Sequence, residues 1–318
     1  MSTGEALCSQ SLDYNSARQE QKPSVKKVGR NDAKSQSPEI RDRSISGRVT
    51  LRSDSNPTLS KNKLLNLILS ELSKATDECV LEYQAVDIGT AHGVAEELDR
   101  IAENAPFRLG YDSLLQNLRV VIMPTKIHDS HVPWFENSLA QMLVSGFLTM
   151  GEMVILERYP GTTVETFGPP YQASQKEPDY CVIPVGSRLP TLVFDSGWSE
   201  SRPQLYHDRD LWLRDGQGFV QVILIVKWTK IADKRVKGDI EVFDLDAAGN
   251  IRLLQQEIIF PASTPTVSAS QQITITRRQL FGPNLPAGQN PDQVTHLSLN
   301  DLRVIAARNM GNYGYTPA

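Results

Sequence analysis

The run from Phe219 to Trp228 restricts this 318-residue chain more than any other feature. Within it Val222-Ile223-Leu224-Ile225-Val226 is unbroken and mostly β-branched, with no polar alternation. A strand of that composition needs cover on both faces, so it predicts a central strand in a sheet with other elements packed on either side. Just upstream, Ser201-Arg202-Pro203-Gln204 reads as a helix start. Ser201 suits the N-cap, Pro203 fits the first turn, and Gln204 can reach back. Leu205 and Trp212 give that helix an apolar edge, and Gly216-Gln217-Gly218 ends it. Residues 191 to 194 precede it as a short apolar strand. Strand, helix and strand in this order predict parallel strands joined by a right-handed crossover.

The same reasoning extends in both directions. Residues 180 to 183 form a strand joined to the one at 191 by a Pro/Gly/Ser turn, hence antiparallel to it. Residues 153 to 159 form another, closed by Pro160-Gly161. Phe135, Leu139, Met142, Leu143 and Phe147 mark a core-facing helix over 134 to 149. The order from 133 to 228 is therefore α-β-β-β-α-β, with a mixed sheet. Strands at 239–245 and 251–260 follow as a meander, then a linker at 261–270, a strand at 273–276, and a helix near 299–308 with Ser298 and Asp301 as a capping pair. Toward the N-terminus, helices are expected at 61–76 and 94–102, with strands at 80–88 and 118–123. The partition is a disordered basic tail at 1–58, an N-terminal helical part at 59–117, a core at 118–260, and a C-terminal extension at 261–318 with a strand and a helix. The fold class is α/β (α+β).

Charge matters only when divided. Residues 1 to 63 hold twelve Lys/Arg and seven Asp/Glu, while the remaining 255 hold twenty-one and thirty. The folded part is thus acidic, which argues against avid nonspecific nucleic-acid binding by the core. No apolar run approaches the ~20 residues of a membrane span, and the first twenty residues carry no secretory signal. Cys8, Cys79 and Cys181 are widely spaced and form no CxxC pair, which suits a reduced intracellular compartment, cytoplasmic or nuclear.

Positions 179 and 195 lie symmetrically about Ser187, as do Pro184 and Pro190. In an antiparallel hairpin of that register Asp179 and Asp195 face each other, with Cβ atoms ~4.5–5.5 Å apart. Two such carboxylates repel unless one takes a proton or a cation joins them. A hard divalent ion bound there activates water and stabilises a phosphoryl transition state. The plain alternative stands beside this: Pro-Asp commonly opens turns, and an Asp at a strand end also serves as a cap.

The segments PTKIHD (124–129), KEPDYCVIP (176–184), PTLVFDSGWSES (190–201) and LYHDRDLWLRDGQGFVQVILIVK (205–227) resemble the PD-(D/E)XK restriction-endonuclease-like superfamily, in particular its Uma-type branch and a group of fungal relatives. The resemblance covers roughly residues 118 to 228. It implies a restriction-endonuclease-like αβββαβ core and metal-dependent nuclease activity. It also implies that Asp179 and Asp195 are metal-binding acids, with Asp129 or Glu136 as the third. The sequence departs from the pattern two residues after the second acid, where the family carries lysine and this chain has Gly197. The next helix offers Arg202, Arg209 and Arg214, and the next strand Lys227, as replacements. Arginine binds phosphate but is a poor substitute for a lysine that manages the attacking water. Other features point elsewhere less strongly. His128 and His131 flank Asp129 without a third ligand nearby. Trp198 and Trp212 suit core packing as well as base stacking. Ser199-Glu200-Ser201 suits helix capping. GTTVETFG and DGQG match no phosphate-binding loop.

The expectation is a Mg²⁺- or Mn²⁺-dependent nuclease acting on DNA, with catalytic residues drawn from Asp179, Asp195, Arg209 and Lys227 and no membrane partner. The alternative is a nuclease-fold protein that has lost catalysis and serves as a binding or scaffolding module. If Asp179, Asp195 and Asp129 or Glu136 converge without a lysine, at least one carboxyl should have a raised pKa that a divalent ion relieves, whereas acids spread apart or neutralised by Arg209 would show no metal effect.

Overall fold

A computed structural model of the protein describes residues 48–51, 60–75, 78–102, 107–122, 125–165, 167–198, 200–264 and 271–318. All of these fall in one compact unit, Arg41–Ala318. The tail expected at 1–58 lies mostly outside the described residues, but its residues Arg48–Leu51 form a strand, β1.

The stretch expected to be helical is a complete α/β layer. Helix α1 (Lys61–Leu72) buries Leu64, Leu65 and Ile68. Strand β2 (Cys79–Tyr83), helix α2 (Ile88–Ala102) and strands β3 (Phe107–Asp112) and β4 (Asn117–Ile122) follow. Together with β6 (Gln175–Lys176) they make a five-stranded sheet in the order β1-β2-β4-β3-β6. Strand β3 buries Phe107, Leu109 and Tyr111, an alternation that marks a half-buried strand. The apolar side chains of this layer, Leu64, Ile68, Leu81, Leu98, Leu109 and Val120 among them, pack with one another.

The second sheet is built around the apolar run. Helix α3 (His131–Val144) leads to helix α4 (Met150–Ile155) and strand β5 (Leu156–Tyr159). The strand expected from residue 153 starts three residues late for a local reason. Thr149 and Glu152 form a reciprocal capping box, with bonds of 2.8 and 3.2 Å, and this fixes a helical turn first. Strands β7 (Tyr180–Pro184) and β8 (Leu192–Gly197), helix α5 (Arg202–Asp215) and strands β9 (Val222–Lys230), β10 (Arg235–Leu245) and β11 (Ile251–Phe260) complete the series. The strand order is β11-β10-β9-β8-β7-β5. Strands β8 and β9 are parallel, and the other neighbours on this path run antiparallel. The molecule is thus a mixed α/β fold.

Every side chain from Val222 to Val226 is fully buried, each contributing roughly 1.5–3 kcal/mol of burial. Leu224 faces α3 with Phe194 and Tyr180, and Ile225 faces α5 with Val193, Cys181 and Trp212. The C-terminal stretch is part of this core. It comprises strand β12 (Gln272–Thr276), helix α6 (Arg277–Phe281), strand β13 (Val294–Ser298), helix α7 (Leu299–Asn312) and strand β14 (Thr316–Pro317). Phe281, Leu302 and Met310 pack with Trp134 and Phe194, and β14 pairs with β10. The expected cap is present, with Asp301 N donating to Ser298 Oγ at 3.3 Å. Among the described residues no helix is long and apolar enough to cross a membrane.

Candidate active site

The hairpin has the register read from its symmetry. Tyr180 pairs with Phe194, Cys181 with Val193 and Val182 with Leu192. The ladder ends there: Asp179 N donates at 3.1 Å to the carbonyl of Phe194, the residue already paired with Tyr180. Asp179 and Asp195 thus both stand at the open end of the hairpin, just past its last rung. Asp195 follows the alternation of Val193 onto the α5 face of the sheet, where Trp212 meets it, while the Asp179 carboxylate meets Ser196 N and His128. Asp179 is 7% exposed and Asp195 3%. Each has a fixed partner. Ser196 N donates to Asp179 Oδ2 at 2.6 Å, and the Trp212 indole donates to Asp195 Oδ2 at 3.0 Å.

Of the basic residues expected near the acids, Lys227 lies on the rung of Gly197 in the parallel β8–β9 ladder, but its ammonium meets backbone carbonyls and neither aspartate. Its Nζ is held by the carbonyls of Trp198 at 2.8 Å and Trp228 at 2.7 Å, and burial lowers its pKa. A side chain at 197 itself has no room, because a Cβ there would lie 2.8 Å from Leu205 Cδ1 of α5. Arg209 does not reach this end. It lies one residue past Asp208, off the buried stripe of α5, and its guanidinium sits over the rings of Tyr206 and Phe243 and binds Asp210. Arg202 is likewise taken up by Asp239 and Glu241 of β10.

Two cations that the sequence reading passed over hold the acid end together. Arg119 of β4 binds Asp208 and lies 3.5 Å from Glu200. Lys176 of β6 binds Asp208 at 2.9 Å. All four side chains are buried. Burial works against charge on Asp208, yet Arg119 and Lys176 outweigh it and hold the carboxyl below its ordinary range. Asp195 and Glu200 behave oppositely. Burial, reinforced by Asp179, Asp208 and Glu200, pushes Asp195 up to about 8 despite Lys176. Burial with Asp208 pushes Glu200 up to about 7 despite Arg119. Among the acids expected to converge, Asp195 is the one raised, and burial rather than repulsion is the first cause. Of the two missed cations, Arg119 had a readable signal. Arg119 interrupts the apolar strand Leu118–Ile122, and its partner Asp208 shares the stripe of Leu205 and Trp212 on α5. Charges placed so are rarely buried without a partner.

The proposed third acids part company. His128 links Asp129 to the site. Its Nδ1 lies 3.0 Å from Asp129 Oδ1, and its Nε2 lies 2.9 Å from Ser196 O and 3.5 Å from Asp179 Oδ2. Burial alone would strip the ring of its proton, but Asp179 and Asp129 raise its pKa to about 10. Burial opposes ionisation of Asp129 as well, yet His128 draws it down to about 2. His131 is not a partner in this. Burial lowers it to about 4, and its ring stacks on Phe194. Glu136 stands on the opposite face of the sheet, accepting a 2.6 Å bond from Tyr180 Oη. It does not converge with the other acids because Tyr180 and Asp179, adjacent in a strand, point opposite ways.

No protein-family model matches this chain, and no curated protein does either. The chemistry has to be judged from the donors themselves. Asp179 and Asp195 are hard oxygen donors, of the kind Mg²⁺ or Mn²⁺ takes one or two of while keeping water and phosphate oxygens in the other positions. Among the described residues no three His, Cys, Asp or Glu side chains are grouped to hold a metal ion by themselves. The pair suits a hard ion that solvent and substrate complete, and it does not suit a protein-only cage.

Proposed function

We propose that the chain is a nuclease-type hydrolase with a restriction-endonuclease-like αβββαβ core, acting on phosphodiesters, with DNA as the first substrate to test and Mg²⁺ or Mn²⁺ as cofactor. The observation that supports this reading is the β7–β8 hairpin, whose last rung, Tyr180 with Phe194, leaves the buried Asp179 and Asp195 beside it at the end of the strands, directly before the α5 crossover. A bound divalent ion would supply activated water and charge for the phosphate. The chain's own residues do the rest. Asp179 and Asp195 present the oxygens. Trp212, Ser196 N–H and His128 fix the direction of those oxygens. Lys227 ties the ends of β8 and β9 together on the same rung.

One observation favours a second reading, a binding module that no longer cuts. Lys176, Arg119 and His128 already offset much of the acid charge from within the chain. Incubation with single- and double-stranded DNA and RNA in Mg²⁺ or Mn²⁺ decides between them. The nuclease reading expects slow metal-dependent cleavage that falls about 100-fold or more in Asp195→Ala. It also expects a Mn²⁺-dependent rise in melting temperature in the wild type and none in that variant. Flat melting curves together with intact substrates would leave the binding module as the function.

A further inference from the structure

The acid end is closed by the N-terminal layer, and the joints are polar. Residues 60–122 have their own apolar cluster, separate from those on either face of the second sheet. Their contacts with the acid end are of another kind. Arg119 binds Asp208 and Glu200. Arg108 Nε lies 3.9 Å from Asp179 Oδ1. The carboxylate of Glu78 accepts from Trp198 N at 3.0 Å, and that of Glu82 accepts from the Gln204 amide. Asp112 Oδ2 lies 2.8 Å from His207 Nε2. The layer also captures β6, pairing Gly110 with Lys176 and Tyr111 with Gln175, and this places the Lys176 ammonium on Asp208. The cavity between Arg119, Lys176, Asp208 and His207 measures about 30 Å³, room for one water and not for a nucleotide. A joint made of charge pairs between separately packed layers is the kind that opens as a unit.

We propose that the layer of residues 60–122 is an inhibitory cover, and that Arg119, together with Lys176 on the captured strand, is the internal cation that must leave Asp208 and Glu200 before a phosphodiester reaches Asp179 and Asp195. The proposal deepens the nuclease reading and rests on it for the word inhibitory. The closed joint itself rests on the contacts alone. Cover and substrate then compete, because the guanidinium and the ammonium stand where a nucleic acid and its counter-ions would approach. Removing Arg119 alone would leave Asp208 and Glu200 buried with less charge to offset them, so the working variant is Arg119→Met with Asp208→Asn, which removes one cation and one anion together and leaves Lys176 to offset Glu200. A second variant, Asp112→Asn, weakens the joint at its rim, where the His207 side chain is 40% exposed.

The experiment is hydrogen exchange on the full chain, followed by cleavage of single- and double-stranded DNA with Mn²⁺. In the double variant the amides of 195–198 and of the first turn of α5 should exchange roughly tenfold faster or more, while those of β2, β4, β9 and β10 keep wild-type protection. Asp112→Asn should show the same pattern to a smaller degree. Cleavage should rise by at least about tenfold in the double variant, the gain expected if the closed state is populated tenfold over the open one. Faster exchange throughout both layers, or no change at 195–198 in either variant, would overturn the cover. Local opening without any cleavage would keep the cover and remove the nuclease.

Discussion

At the residue scale the site is a problem of excess acid solved by burial and by cations borrowed from far along the chain. Glu200 shows how this shapes the response to pH. Its carboxyl is 5% exposed, and its pKa lies at about 7, raised from 4.5 chiefly by burial and by Asp208, with Arg119 opposing. The folded state therefore binds a proton that the unfolded state has already released between those two values. Stability from this group is present in full below about pH 4.5 and is lost as pH rises through about 7. Glu200→Gln removes that dependence. Measured by urea unfolding, the variant should gain on the wild type between pH 5 and pH 8 by roughly 1–3 kcal/mol. A difference that stays constant across that range would show that Glu200 is ionised throughout. His128 is the opposite case, an imidazole kept charged inside the protein because carboxylates stand at both of its nitrogens.

At the element scale, the close approach of α5 to β8 decides where a lysine can be. Leu205 of α5 fills the space over Gly197, and the nearest ammonium on that rung is Lys227 of β9. Gly197→Lys should therefore fail to improve the site. It should cost about 1–3 kcal/mol of stability, the usual range for forcing side-chain volume into a packed contact, read from the urea midpoint. A variant of unchanged stability with faster cleavage would show that α5 yields. This element also shows what a sequence does and does not disclose. The β7–β8 pairing was legible because two prolines and two aspartates bracket one turn symmetrically, and the central strand because nothing polar interrupts it. In the layer over the site the strands near 80 and 118 were legible, but Phe107–Asp112 was missed because it mixes Arg108 and Gly110 into a strand only six residues long. The closing ion pairs were invisible for a different reason. Arg119 and Asp208 are 89 positions apart, and no local pattern states which distant charge meets which.

At the scale of the whole molecule, charge sets what the protein can hold. Residues 64 to 318 carry twenty-one basic and thirty acidic side chains, and several of the cations are spent on internal carboxylates. Attraction to a polyanion is then weak until the acid end opens or a divalent ion neutralises it. Fluorescence anisotropy with a short DNA duplex at physiological salt and without metal should give half-saturation no tighter than about 10 µM, within the range of nonspecific association. Binding below about 1 µM would mean that the basic segment before residue 60 recruits the duplex by itself.

The turn between the paired prolines has a practical side as well. A residue added inside β7 or β8 would slip the ladder and send one aspartate to the opposite face of the sheet. A residue added at Gly186, which is exposed and lies outside the ladder, leaves every rung where it was. Chain length at this one bend is thus decoupled from the pairing of the strands. The protein can lengthen there, or carry a reporter peptide there, and still end its hairpin with Asp179 and Asp195 beside the last rung.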